Sequence, residues 1–239
     1  MTRAKPPPPG YPINVRWSWP FRVHLRKQGA HFNQKARTWT HPDEARANAL
    51  TQELSAILAG GVTVHADAGF KGGVAKGGYW LQGPAPVVRV IEQVPEFPCK
   101  DSTSAEVAVL AKALGHALEL WPGCRFLWIR SDCLHALRMV EAHGGNDRAL
   151  RAVLGVFHKR GGLFQTKHVP GHRDPEKIED PKARRAAYVN AVCDDFASMK
   201  VAAPAPRRGL EAGGTGRSAL KPAPGQSLAD CIRAQWKED

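Results

Sequence analysis

Val62-Thr63-Val64-His65-Ala66-Asp67 places Val62, Val64 and Ala66 on one side of an extended chain and Thr63, His65 and Asp67 on the other. This period of two, rich in β-branched residues, predicts a strand with one buried face, and the strand ends on an acid just before Gly69. Two further candidate strands follow, at 74–81 and 87–94, separated by tight, glycine-bearing turns. Downstream the pattern alternates: helix 103–120, strand 125–130, helices 133–142 and 147–159, strand 163–169, helix 181–199. A meander of three strands followed by helix-strand alternation predicts an α/β domain with a mixed sheet.

Four acids fall at or near element ends: Asp67 closes the first strand, Glu106 opens the first long helix, Asp132 follows the fourth strand, and Asp194 lies in the last helix. If the first and fourth strands are neighbours, Asp67 and Asp132 emerge side by side and Glu106 reaches in from the covering helix. Carboxylates held that close repel one another, and a bound cation relieves the repulsion. A donor set of carboxylates without Cys or His suits Mg²⁺, and two such ions about 4 Å apart activate water and stabilise a leaving oxygen.

Outward from this core, the composition narrows the partners. The chain has 239 residues, 34 Lys and Arg against 22 acids, a formal net charge of +12 and a pI near 9.8. Such an excess favours a polyanion such as nucleic acid. No apolar run approaches the roughly 20 residues of a membrane span, and the first residues, with their four-proline run, lack a secretory or transit pattern. The expectation is a soluble, cytoplasmic protein without a membrane partner, monomeric, whose five widely spaced cysteines are reduced and mostly buried.

The basic excess is uneven. Residues 1–50 hold nine Lys and Arg and two acids, +7 of the total. They interleave Tyr11, Trp17, Trp19, Phe21, Phe32 and Trp39 with Arg22, Arg26, Lys27, Lys35 and Arg37, a pattern that offers stacking faces and phosphate partners. Residues 19–25 and 31–40 are expected as strands around a Lys27-Gln28-Gly29 turn, followed by a helix over 42–58. Gly60-Gly61 punctuates the chain, which gives a basic aromatic segment at 1–59, a catalytic domain at 60–200, and at 201–239 an Ala/Pro/Gly-rich linker with a short helix from Ser227.

The stretches VTVHADAGF (62–70), STSAEVAVL (102–110), LWIRSDCLHAL (127–137), TKHVPGH (166–172) and NAVCDDFA (190–197), in this order, resemble the successive acid-bearing motifs of type 1 ribonuclease H. The resemblance spans about residues 61–199. It implies a ribonuclease H-like five-stranded mixed sheet flanked by helices, two Mg²⁺ or Mn²⁺ ions, and hydrolysis of the RNA strand of RNA:DNA hybrids to 5′-phosphate ends. Carried over by position, Asp67, Glu106, Asp132 and Asp194 are metal ligands and His172 is a loop histidine that assists proton transfer or product release. Asp195 competes with Asp194, since one step along a helix turns the side chain by about 100°.

Hybrid contacts are expected from Gly69, Ser102, Thr103 and Ser104, reading 2′-hydroxyls in a shallow minor groove, and from Arg22, Arg26 and Lys27 on phosphates. The chain departs from the family in two places. Ser102, Thr103 and Ser104 stand where an Asn pair often precedes the helix acid, and residues 143–162 lack the Trp-rich basic protrusion of many bacterial members. The basic N-terminal segment is expected to supply the missing grip. Alternatives are a hybrid-binding protein that does not cut, and a DNA-directed nuclease or transposase-like enzyme of the same fold.

Overall fold

The structure, a computed structural model, describes residues 10–15 and 19–198. The expected linker and terminal helix at 201–239 lie outside the described residues, as does Trp17. The chain divides into two compact units, Met1–Gly60 and Gly61–Asp239.

In the first unit, β1 (Tyr11–Ile13), β2 (His31–Asn33) and β3 (Thr38–His41) form an antiparallel sheet in the order β1-β3-β2, with α1 (Arg22–Lys27) and α2 (Glu44–Ala59) beside it. Helix α2 starts where Asp43 accepts a hydrogen bond from the Arg46 backbone N–H at 2.8 Å, and it buries Ala47, Leu50, Leu54 and Ile57 at helical spacing.

Residues 19–25 are not the strand expected from their alternation. Trp19–Phe21 is a 3₁₀ turn that runs into α1. Phe21 and Leu25, four apart, are both buried, whereas Val23 between them is 56% exposed. The four-residue spacing of Phe21 and Leu25 therefore decides the conformation over the apparent period of two. Likewise 31–40 is a hairpin of two strands, with Arg37 in the left-handed region at φ +51°. Phe21 and Trp39 belong to the small core, and among the described side chains of this unit Tyr11 and Phe32 are the exposed aromatics.

The second unit holds β4 (Val62–Lys71), β5 (Val74–Gln82), β6 (Arg89–Pro98), α3 (Ser102–Leu120), β7 (Phe126–Ser131), α4 (Leu134–Glu141), α5 (Arg148–Lys159), β8 (Leu163–His168) and α6 (Pro181–Ala197). The sheet order is β6-β5-β4-β7-β8; β4 runs antiparallel to β5 and parallel to β7, and β7 runs parallel to β8. The central strand is thus the first one, flanked by the second and fourth, which is the mixed sheet expected from a meander followed by crossovers.

One face packs against α3, α4 and α5 through Val62, Val64, Ala66, Leu110, Leu114, Leu127 and Ile129. The other lies under α6, where Trp80, Ile91, Val189, Val192, Cys193 and Phe196 cluster. Two consecutive glycines of β5 admit a helix on each side. A Cβ on Gly77 would lie 2.3 Å from the Val109 side chain of α3; one on Gly78 would lie 2.5 Å from Phe196 Cβ and 2.6 Å from the Cys193 carbonyl of α6. Gly78 is the residue paired with Asp67, so both helices pack tightly on the sheet beside that acid.

Candidate metal centre

The parallel register of β4 and β7 pairs Val64 with Ile129 and His65 with Arg130. Two residues further along, the chains carry Asp67 and Asp132, one still in β4 and one just past the end of β7. Glu106 projects from the second turn of α3, whose start is set by the Asp101 carboxylate accepting from the Ser104 N–H at 2.7 Å. Asp67, Glu106 and Asp132 each bring a carboxylate oxygen to within 4.8 Å of the others. The Ala68 N–H donates to Asp67 Oδ1 at 2.8 Å and to Glu106 Oε1 at 3.2 Å, tying strand and helix together at this point.

The cluster is electrostatically unfavourable as it stands. Burial, then the charge of Asp132, raises the Asp67 carboxyl well above the usual carboxylate range, and Asp194 adds to the push. Burial raises Glu106 as well, reinforced by the charges of Asp67 and Asp132. Carboxylates that resist ionisation because they crowd one another are the arrangement a hard cation relieves, and all three donors are oxygen. Such a group fits a hard divalent cation, with Asp67, Glu106 and Asp132 as its holders.

Asp194 is not one of the three converging acids but lies beside them: its Oδ2 is 3.8 Å from His172 Nδ1, and its charge is felt at Asp67. His172 is 82% exposed and sits at φ +51°, in the left-handed region that a residue with a Cβ adopts at some strain. The loop that carries it presses on the cluster: a Cβ on Gly171 would lie 2.2 Å from Asp132 Oδ2. His168 binds the backbone carbonyl of Asp132 at 3.0 Å, and His65 is buried under α6, kept neutral by burial and by Arg130 and Arg185.

Ser102, Thr103 and Ser104 form the first turn of α3, one turn before Glu106, with Ser102 exposed. Gly69 lies two residues past Asp67, where a Cβ would come to 3.2 Å from the Ala197 carbonyl. Arg22, Arg26 and Lys27 lie in the first unit on α1; all three are exposed, and the Arg26 guanidinium lies over the Trp39 ring at 5.9 Å.

Sequence reasoning did not single out Asn190 as a site residue. Its Nδ2 lies 3.4 Å from Asp132 Oδ2 although 58 positions separate the two. The signal was present in that Asn190 opens the NAVCDDFA stretch, four places before Asp194 and on the inward face of α6.

The central first strand, the antiparallel second and third, and the parallel fourth and fifth, with helices on both faces, define the chain path. The fold is ribonuclease H-like. No family profile and no curated protein matches the chain. Solved structures similar to this chain include ribonuclease H1 from the halophilic archaeon Halobacterium salinarum NRC-1, 19% identical, with a TM-score of 0.37, covering 59% of this chain and 100% of that one. LC11-RNase H1 in complex with an RNA/DNA hybrid is 14% identical, with a TM-score of 0.37 and coverage of 58% and 94%. The N-terminal RNase H domain of rv2228c from Mycobacterium tuberculosis, a fusion with maltose-binding protein, is 16% identical, with a TM-score of 0.34 and coverage of 46% and 87%. At these values the assignment rests on strand order and register.

Proposed function

We propose that this chain is an endoribonuclease that hydrolyses the RNA strand of RNA:DNA hybrids with two divalent cations, Mg²⁺ or Mn²⁺, leaving 5′-phosphate ends. The observation that carries this reading is the convergence of Asp67, Glu106 and Asp132 within 4.8 Å at the end of the central parallel strand pair. Bound there, the cations supply Lewis acidity for in-line attack of water on a phosphodiester.

The chain's own groups have separate tasks in this proposal. Asp67, Glu106 and Asp132 fix the cations, and their raised proton affinity makes cation uptake release protons. Asp194 completes the set from α6 and orients His172, whose imidazole suits proton transfer near neutral pH. Ser102, Thr103 and Ser104, with the backbone at Gly69, meet 2′-hydroxyls, and Arg22, Arg26 and Lys27 in the first unit hold phosphates.

The test is cleavage of an end-labelled RNA:DNA hybrid with Mg²⁺, set beside duplex DNA, duplex RNA and single strands. The intact chain should shorten only the RNA of the hybrid, while Asp67→Asn and Asp132→Asn lose on the order of 10³-fold or more in rate although folded. Binding without cleavage in Mg²⁺ or Mn²⁺ would instead indicate a non-catalytic hybrid-binding protein, and cleavage of duplex DNA a DNA-directed nuclease.

A further inference from the structure

Asn190 is only 3% exposed, in the middle of α6, among Ala186, Ala187, Val189 and Cys193. Asparagine is a poor residue for a helix interior, and a leucine would fill the same space with less penalty. Its amide can face Asp132 in one sense only. The Asp132 carboxylate accepts hydrogen bonds, so the amide nitrogen is the group at 3.4 Å from Oδ2. That choice leaves Asn190 Oδ1 buried with no hydrogen-bond partner among the described residues. An orphaned buried acceptor is destabilising, and it invites a donor from outside the protein.

We propose that Asn190 is a positioning residue for the acid cluster. Its Nδ2 fixes the rotamer of Asp132, and its Oδ1 accepts a hydrogen bond from a water ordered at the cluster. Among the described residues Asp132 has no other side-chain anchor on its Oδ2; the Gly171 backbone crowds that oxygen from the opposite loop, and Asn190 holds it from α6. Fixed in this way, the carboxylate presents its oxygens toward Asp67 and Glu106 and does not rotate into solvent. The inference rests on the reading of Asp67, Glu106 and Asp132 as a cation site. It adds a group that touches no cation and acts through Asp132 and a water.

The experiment uses the full chain: Mn²⁺ titration by calorimetry, thermal unfolding in EDTA, and steady-state cleavage, for the wild type, Asn190→Leu and Asn190→Ser. Asn190→Leu keeps the packing and removes both polar atoms; Asn190→Ser keeps a short donor in case the leucine does not fold. The Mn²⁺ dissociation constant should rise by about 10- to 100-fold in Asn190→Leu and by less in Asn190→Ser. The unfolding midpoint of Asn190→Leu in EDTA should hold or rise, and kcat should fall while KM for hybrid stays. A Mn²⁺ affinity within about twofold of wild type in folded Asn190→Leu, or in Asn190→Ser where the leucine variant does not fold, overturns the positioning role. A wild type that takes up no Mn²⁺ overturns the cation-site reading itself, and this proposal with it, so the two failures are distinct.

Discussion

On the side of the five-stranded sheet that carries α3, α4 and α5, the buried side chains of β4 are Val62, Val64 and Ala66, which join a large apolar cluster, and Glu106 of α3 is the acid that reaches the site from this side. On the side under α6 the same strand buries His65 and Asp67, and the helix above contributes Asn190 beside a small apolar patch. His65 Nδ1 and Asn190 Oδ1 there have no partner among the described residues. Burying unpaired polar groups is destabilising, so a chain tolerates them where they perform chemistry and draws its stability from elsewhere. One strand therefore divides its residues by parity: even positions hold the fold together, and odd positions hold the candidate site.

The two glycines of β5 offer the strongest way to break this division. Gly78→Ala sets a Cβ against the Cys193 carbonyl and Phe196 Cβ, so all of α6 must shift, and a loss of more than about 3 kcal/mol is expected. The shift should also weaken Mn²⁺ binding, because Asn190 and Asp194 move with the helix. Gly77→Ala meets the methyls of Val109, and about 1–3 kcal/mol is expected; Mn²⁺ binding should weaken less than in Gly78→Ala, because the Val109 side chain can yield while α3, which carries Glu106, stays in place. Urea unfolding and Mn²⁺ titration of both variants check this. Equal effects on Mn²⁺ binding would mean that the two faces are not separable.

A finer comparison uses two residues three apart on β4. In metal-free protein near neutral pH, Val64→Ala should destabilise by about 1–3 kcal/mol, since it removes buried methyls from a packed core. Asp67→Asn should do the opposite, stabilising by about 1–3 kcal/mol, because it removes a buried carboxylate whose ionisation Asp132 and Asp194 oppose. The substitution that abolishes cleavage would then make the protein more stable in EDTA. If Asp67→Asn is instead as destabilising as Val64→Ala, Asp67 serves the fold and not the site.

The same groups fix the sign of the pH dependence. Asp67 and Glu106 hold their protons in the folded chain to a higher pH than in the unfolded chain, where carboxyls titrate near pH 4. Above about pH 4 the native state therefore binds more protons than the unfolded state, and metal-free stability falls as pH rises through the folded pKa values. Saturating Mg²⁺ should flatten that slope, because the ionised carboxylates then have a partner. Unfolding midpoints measured against pH in EDTA and in Mg²⁺ give the comparison, and a rise of stability with pH in EDTA over this window would contradict it.

The mixed sheet was legible because its information is local: alternation in 62–67, a meander of three strands, and helices long enough to enforce crossovers. The neighbouring of β4 and β7 entered the sequence reading only as a condition for Asp67 and Asp132 to meet, and the parallel pairing of the two strands fulfils it. What was not legible depends on contacts distant in sequence. Asn190 and Asp132 lie 58 positions apart, and nothing near Asn190 signals that its amide meets a carboxylate. The tolerance of Gly77 and Gly78 for helices on both faces is equally invisible until α3 and α6 are in place. In the first unit the alternation of Trp19, Phe21, Val23 and Leu25 misled, because Phe21 and Leu25 also satisfy a helical spacing, and both are buried while Val23 is exposed.

That first unit provides the mildest test. The acid centre acts at contact distance, whereas Arg22, Arg26 and Lys27 contribute to a hybrid complex mainly through counterion release, which is graded and additive. Each replacement by Ala should lower the slope of log K against log salt by about 0.7–0.9 if that side chain neutralises one phosphate. Arg26 separates charge from shape, since its guanidinium also lies over Trp39. Arg26→Lys should keep the salt slope, while Arg26→Ala should lower it, and neither should change the Mn²⁺ affinity of the acid cluster. Unchanged slopes in all three alanine variants would remove the first unit from hybrid binding and leave the whole grip to the unit that carries Asp67.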